Sequence, residues 1–210
     1  MEITLRQQHF DLLPQRAIYW KEQQSLILSD LHIGKGMHFR KEGIPIPKQA
    51  FDDDLDTLND LIVKHQPKQL IVVGDMFHSR HNNEVKLFDI WRAQYTALNI
   101  LLVKGNHDIL KKEDYRELHI DVINQYETED FVFTHDSCDN TSDKFCFSGH
   151  LHPGVAIYGP ARQSLKFPCF HFTPKDCTLP AFSKFTGLAI IKPKVADKVF
   201  AIVEGEIVKI

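Results

Sequence analysis

Five stretches of the chain share one pattern: a short aliphatic or aromatic run followed at once by a polar cluster. They are LILSDLH (26–32), LIVVGDMFH (70–78), ILLVKGNHD (100–108), FVFTHD (131–136) and FCFSGHLH (145–152). Apolar runs of this length, rich in Val, Ile and Phe and bounded by turn residues, predict core strands, so each polar cluster falls on a strand end. Between the first two strands, FDDDLDTLNDLIVKH (51–65) brings Phe51, Leu55, Leu58 and Ile62 back at helical spacing. Asp52, Asp53 and Asp54 load its first turn and Pro67 stops it. Phe88, Trp91, Tyr95 and Leu98 predict a second helix before the third strand. Strand and helix therefore alternate, which implies a parallel or mixed sheet with its loops gathered at one edge.

The pattern changes towards the C-terminus. SLKFPCFHF (164–172), GLAIIKP (187–193), KVFAIVEG (198–205) and EIVKI (206–210) read as strands with no long helix between them, and Gly205 suits a tight turn in VEGEIV. RAIYW and SLILS, around KEQQ, predict an N-terminal hairpin. Together these elements imply two sheets packed face to face with helices outside.

With 210 residues, 43% hydrophobic and 25% charged, the chain fits one domain over 1–210. It contains no apolar run long enough for a membrane span, and MEITLRQQHFDLL lacks the features of a secretory signal, so a soluble cytoplasmic protein without a membrane partner is expected. Cys138, Cys146, Cys169 and Cys177 are separated by 7, 22 and 7 residues; no close pair suggests structural zinc, and reduced thiols are expected. The formal net charge of -3 argues against coating nucleic acid by electrostatics alone.

Twelve histidines shift attention to placement. The five strand ends release Asp30, His32, Asp75, Asn106, His107, His135, His150 and His152. Singly, each is an ordinary cap or loop residue. Jointly they are too many donors for one ion, and they divide naturally over two ions that share a carboxylate. Two divalent ions about 4 Å apart clamp a phosphate and activate a water. Carboxylate with imidazole suits Mn, Fe or Zn better than Ca or Mg alone, and ligand type does not select among those three; Mn is the expected ion, with Fe, Zn or Mg as alternatives. His9, His65, His119 and His171 lie outside the clusters and read as surface or core residues.

Asp-Leu-His at 30–32, Gly-Asp at 74–75, Gly-Asn-His-Asp at 105–108, Thr-His at 134–135 and Gly-His-Leu-His at 149–152 resemble, in order and spacing, the calcineurin-like metallophosphoesterase family. The resemblance implies a four-layer α/β/β/α sandwich of two mixed β-sheets flanked by helices. It assigns Asp30, His32 and His152 to one metal and Asn106, His135 and His150 to another, with Asp75 bridging. It also implies attack on phosphorus by a metal-activated hydroxide, with His107 as general acid and Asp108 orienting it. DLHIGKG with FRKEGIPIP, GDMFHS, SGHLHPG and TLPAFSKFTG looks like the bacterial ligase-associated DNA-damage-response endonuclease branch. That implies DNA or another phosphodiester as substrate, DNA ligase and helicase as associates, and a homodimer by analogy. GDMFHSR lacks the signature of protein serine/threonine phosphatases.

Lys35, His38, Arg40 and Lys41 follow the first motif, His78, Arg80 and His81 the second, and Lys104, Lys111 and Lys112 flank the third. Of these, Lys35, Arg40, His78 and Arg80 are the candidate substrate contacts, and two bound divalent ions would take the net charge to +1. Two other readings stand beside DNA cleavage: a small-molecule phosphodiesterase or phosphatase for nucleotides or cyclic nucleotides, and a non-enzymatic binding module on the same fold.

Overall fold

The computed structural model describes residues 1–36, 40, 43, 49–78, 83–138, 143–159 and 164–210. Its first sheet runs in chain order: β1 Glu2–Leu5, β2 Gln8–Leu13, β3 Ala17–Trp20, β4 Ser25–Leu28, β5 Gln69–Val73, β6 Asn99–Val103 and β7 Ile120–Ile123. The first four strands form an antiparallel meander and β4 to β7 are parallel. Helices α1 (Gln49–His65), α2 (Asn83–Arg92) and α3 (Lys112–Glu117) make the crossovers. Every residue of β4 is buried, as is all of β5 and β6 after the first residue, because both faces of the parallel strands are covered.

The second sheet contains β8 Tyr126–Glu127, β9 Phe131–Thr134, β10 Phe145–Ser148, β11 Pro153–Tyr158, β12 Ser164–Phe172, β13 Asp176–Thr178, β14 Ala189–Ile190, β15 Lys198–Val203 and β16 Glu206–Lys209. It is also mixed: β9, β10 and β13 run parallel, whereas β12 is antiparallel to β11, β13 and β15. Gly205 takes φ +83° in the turn between β15 and β16, the hairpin its sequence predicts.

Alternation along the strands sorts side chains into layers. Leu26, Leu28, Leu70, Val72, Ile100 and Leu102 turn toward the helices, where Leu55, Leu58, Phe88, Trp91 and Tyr115 meet them. Ile27, Ile71, Val73 and Val103 turn the other way, onto Phe131, Phe133, Phe147 and Phe170 of the second sheet. Aromatic rings dominate this inner layer, with Phe133 and Phe147 stacked at 5.1 Å and Trp20 on Phe10 at 5.3 Å. The outer face of the second sheet carries a smaller cluster, Val155, Cys169, Val199 and Ala201. No described helix is long and apolar enough to cross a membrane.

The pattern left some elements unread. β1 and β2 extend the N-terminal hairpin to four strands, and β7, β11 and β13 had no place in the expected set. Helix α2 ends at Arg92; Tyr95 and Leu98 reach the same core from the turns that follow, held by the Arg92 guanidinium, which donates to the carbonyls of Tyr95, Leu118 and His119. GLAIIKP supplies only the two residues of β14. The reduced-thiol expectation fails for one pair: Cys138 and Cys146 form a disulfide, while Cys169 and Cys177 are free and buried. The chain leaving β9 returns to the adjacent β10, which brings the two Cα atoms to 6.1 Å, inside bridging range.

Candidate metal centre

The proposed ligands leave the carboxyl ends of β4, β5, β6, β9 and β10, where the two sheets face each other. Five of the seven hold left-handed backbone: Asp30 (φ 55°), His32 (51°), Asp75 (51°), His150 (66°) and His152 (48°). That conformation costs a non-glycine residue roughly 1–2 kcal/mol and persists only where the surroundings over-determine it. The hydrogen bonds supply that determination. Asp30 donates its N–H to the Gly74 carbonyl (3.0 Å) and His32 donates to the Asp75 carbonyl (2.9 Å), so the first two loops are laced together. Glycines give the room. A Cβ on Gly74 would fall 1.9 Å from His135 Nδ1, and one on Gly105 would fall 2.3 Å from Asp75 Oδ1.

The donors converge into two adjoining groups. In the first, ligand atoms of Asp30, His32 and His152 all lie within 4.8 Å of one another, with His152 Nε2 3.1 Å and His32 Nε2 3.9 Å from Asp30 Oδ1. In the second, Asp75, His135 and His150 meet the same limit: His135 Nε2 is 3.4 Å from Asp75 Oδ2 and 3.2 Å from His150 Nδ1. The Asn106 side-chain oxygen, outside that trio, lies 3.0 Å from the same His135 nitrogen. The groups touch, because the His150 amide donates to the other oxygen of Asp30 (3.1 Å).

This donor set fits metal. Asp30 Oδ1 and both ring nitrogens of His32 are buried with no hydrogen-bond partner among the described residues. Leaving such atoms unsatisfied is costly, and a cation between them removes the cost. Burial pushes His32 down to about 3, so its imidazole is neutral and free to coordinate. Burial also raises Asp75, but its hydrogen bond from His135 and the His107 amide outweigh this and hold it ionised, at about 2. Against burial, the contact with Asp75 lifts His135 to about 9. The proton it retains sits among Asp75, Asn106 and His150, a position suited to a divalent ion.

Around the groups stand other imidazoles. The His107 amide donates to Asp75 Oδ1 (2.9 Å), and its half-buried ring lies 4.7 Å from His78 and 5.7 Å from His32. Asp108 does something other than orient this ring. Its two oxygens accept the amides of Phe77 (2.9 Å) and Gly105 (2.8 Å), bracing the second and third loops together. Burial raises it to about 6 despite those bonds.

Lys35 is near enough to lower the charge affinity of His32 and to feel Asp30 and Asp75. The Arg40 guanidinium is paired with buried Glu84 of α2 at 2.8 Å, an anchor that the sequence did not suggest. Arg80, with His38, Lys41 and His81, lies outside the described residues. Lys104, Lys111 and Lys112 are exposed near the third loop. Outside the site, His9 pairs with Glu22 and His171 with Asp197. A cavity of about 680 Å³, lined by Arg92, Asn99, Arg116 and Asp121 among others, opens beside the amino ends of β6 and β7, at the opposite edge from the ligands.

A face-to-face pair of mixed sheets, with carboxylates, imidazoles and an amide gathered in two touching groups at their strand ends, is the arrangement a dinuclear metal hydrolase requires. The calcineurin-like phosphoesterase profile matches residues 25–177, a span containing all seven donors. The chain belongs to that family and is a metal-dependent phosphoesterase. Among solved structures it is similar to the nuclease MPE of Pseudomonas putida, with 28% identity, a TM-score of 0.84, and coverage of 100% of this chain and 99% of that one. It also matches the phosphoesterase Yfce of E. coli at 13% identity and a TM-score of 0.47, covering 89% of this chain and 97% of that one. No curated protein matches.

Proposed function

We propose that the protein hydrolyses phosphodiester bonds in DNA with two manganese ions. The observation that carries this reading is the convergence of seven donors into two adjoining groups in a chain similar from end to end to a nuclease. Asp30, His32 and His152 would hold one ion, and Asn106, His135 and His150 the other, with Asp75 between them. When bound, the ions supply an activated water and neutralise charge developing on phosphorus. A mixture of carboxylate, amide and imidazole donors suits manganese.

The remaining chemistry belongs to the chain. His107 stands at the edge of the first group, fixed by its amide bond to Asp75 and by the neighbouring His78 and His32 rings. From there it delivers a proton to the departing ester oxygen as the phosphorus–oxygen bond breaks. His78 holds that ring against rotation, and Lys35 offers charge to a non-bridging phosphate oxygen. Repair of damaged DNA, in company with a ligase and a helicase, is the setting this reading implies.

The test is a panel of single-stranded DNA, duplex ends, cyclic nucleotides and an aryl phosphodiester, offered to manganese-loaded protein. Cleavage of DNA is expected. Inert DNA beside rapid turnover of cyclic nucleotides would transfer the site to small diesters.

A further inference from the structure

The family match ends at residue 177, yet the next twelve residues touch the main chain of the first ligand group twice. Ala181 bridges Ser29 in parallel, Phe182 donates its N–H to the Ser29 carbonyl (2.8 Å), and Ser183 donates to the carbonyl of Asp30 (3.2 Å). Further on, Ala189 donates to the carbonyl of His152 (3.0 Å). Asp30 and His152 are two of the left-handed ligands, so these bonds fall where strained backbone needs restraint. No corresponding bond from residues 179–189 reaches Asp75 or His135 among the described residues.

The segment is itself anchored from both outside and inside the matched span. Arg16, in the turn between β2 and β3, donates through Nη1 to the carbonyls of Ser183 (3.0 Å) and Ala181 (3.3 Å). Those carbonyls flank the Phe182 amide and belong to the residues that bridge Ser29 and hold Asp30. From α1, buried Asp54 accepts the Lys184 amide (3.4 Å) and bonds the Ser183 hydroxyl. Phe182 inserts its ring into the helix-side core.

We propose that residues 179–189 form a strap that sets the geometry of the first ligand group, and that Arg16 is the positioning residue that locks it. The proposal rests on the dinuclear reading of the site, but it concerns affinity for the ion and not turnover. Partners that orient metal ligands from outside the coordination sphere typically change affinity by about 10–100-fold. Arg16→Ala should therefore weaken one of two manganese-binding events by about 10-fold, and Arg16→Lys should recover most of that loss.

Titration calorimetry of the metal-free full chain with manganese reads this directly, beside urea unfolding of each variant. Phe88→Leu, which lies on α2 outside residues 179–189 and loosens the same helix-side core, serves as control. Selective weakening in Arg16→Ala, absent from Phe88→Leu at matched loss of stability, supports the strap. Parental affinities in Arg16→Ala, equal weakening of both events, or the same selective change in Phe88→Leu would each overturn it. A parent chain that binds no manganese would instead remove the dinuclear reading, and the strap with it.

Discussion

The two ligand groups are built from similar side chains on opposite plans. In the first, Asp30 and His32 are buried, Asp30 Oδ1 and both His32 ring nitrogens lack a hydrogen-bond partner among the described residues, and the backbone is held by the neighbouring Gly74–Asp75 loop and the 179–189 segment. In the second, Asn106 and His150 are exposed, the donors already bond one another through His135, and support comes from the Val73 carbonyl, the His107 amide and the nearby Cys138–Cys146 bridge. Buried atoms without a partner carry a desolvation cost until an ion arrives, whereas the second group, whose Asp75 and His135 are also buried, already offsets part of that cost through bonds among its own donors. The first group should thus bind more tightly and couple more strongly to folding, and the second should exchange its ion more readily and meet the substrate.

Asp75 lies between the plans, and its change should have the largest effect. Asp75→Asn is expected to reduce turnover by at least about 10³-fold and to weaken both binding events, as measured by kinetics and calorimetry. If only one event weakened, Asp75 would belong to a single group and the bridge would be lost. His107→Ala comes next: both ions retained, with a rate loss of about 10²–10⁴-fold that is greatest for esters with poor leaving groups. Parental rates on a poor leaving group would disprove the acid assignment.

Metal removal should distinguish the groups energetically. Manganese at about 100 times its dissociation constant should raise unfolding free energy by about 3 kcal/mol per site in urea melts, and Asp30→Ala should remove the tighter increment first. Reduction of the Cys138–Cys146 bridge should be milder, costing about 2 kcal/mol of stability for so short a loop. Its effect on ion affinity should fall on the second group, whose His135 and His150 flank the bridged strands; a change confined to the first group would contradict the contrast.

Asp54 gives the mildest prediction, since it touches neither group. Burial beside Arg16, Ser183 and Lys184 raises its pKa from 3.8 to about 6. The folded state then binds a proton that the unfolded state has released, so the contribution is full below pH 3.8 and is lost as pH rises to about 6. Asp54→Asn should therefore gain stability relative to the parent across that window and run parallel to it above. A difference that moved the other way would mean that Arg16 and Lys184 dominate the carboxylate.

The five strand ends were legible because apolar runs and polar clusters are local signals, and each ligand follows its strand within four residues. The helices were legible from Leu55, Leu58, Phe88 and Trp91 for the same reason. What escaped was long-range or carried by backbone. Nothing in Arg16 announces a bond to residue 183, and Asp54, read as charge loading a helix's first turn, is buried. Asp108 was noticed as a neighbour of His107, yet its partners are amides, which leave no trace in side-chain pattern. Cysteines with seven residues between them pair here because β9 and β10 are neighbours. TLPAFSKFTG stood out as a resemblance, but its work is done by N–H groups that most residues would supply equally well.

The left-handed turns at Asp30, His32, Asp75, His150 and His152 have an evolutionary corollary. Glycine would sit in each without strain, so a lineage that abandoned this chemistry could relax there and grow sturdier, and that drift is itself readable in an ion-free chain. Replacing any one of the five with glycine trades robustness against catalysis, a local bargain struck at the tips of five strands.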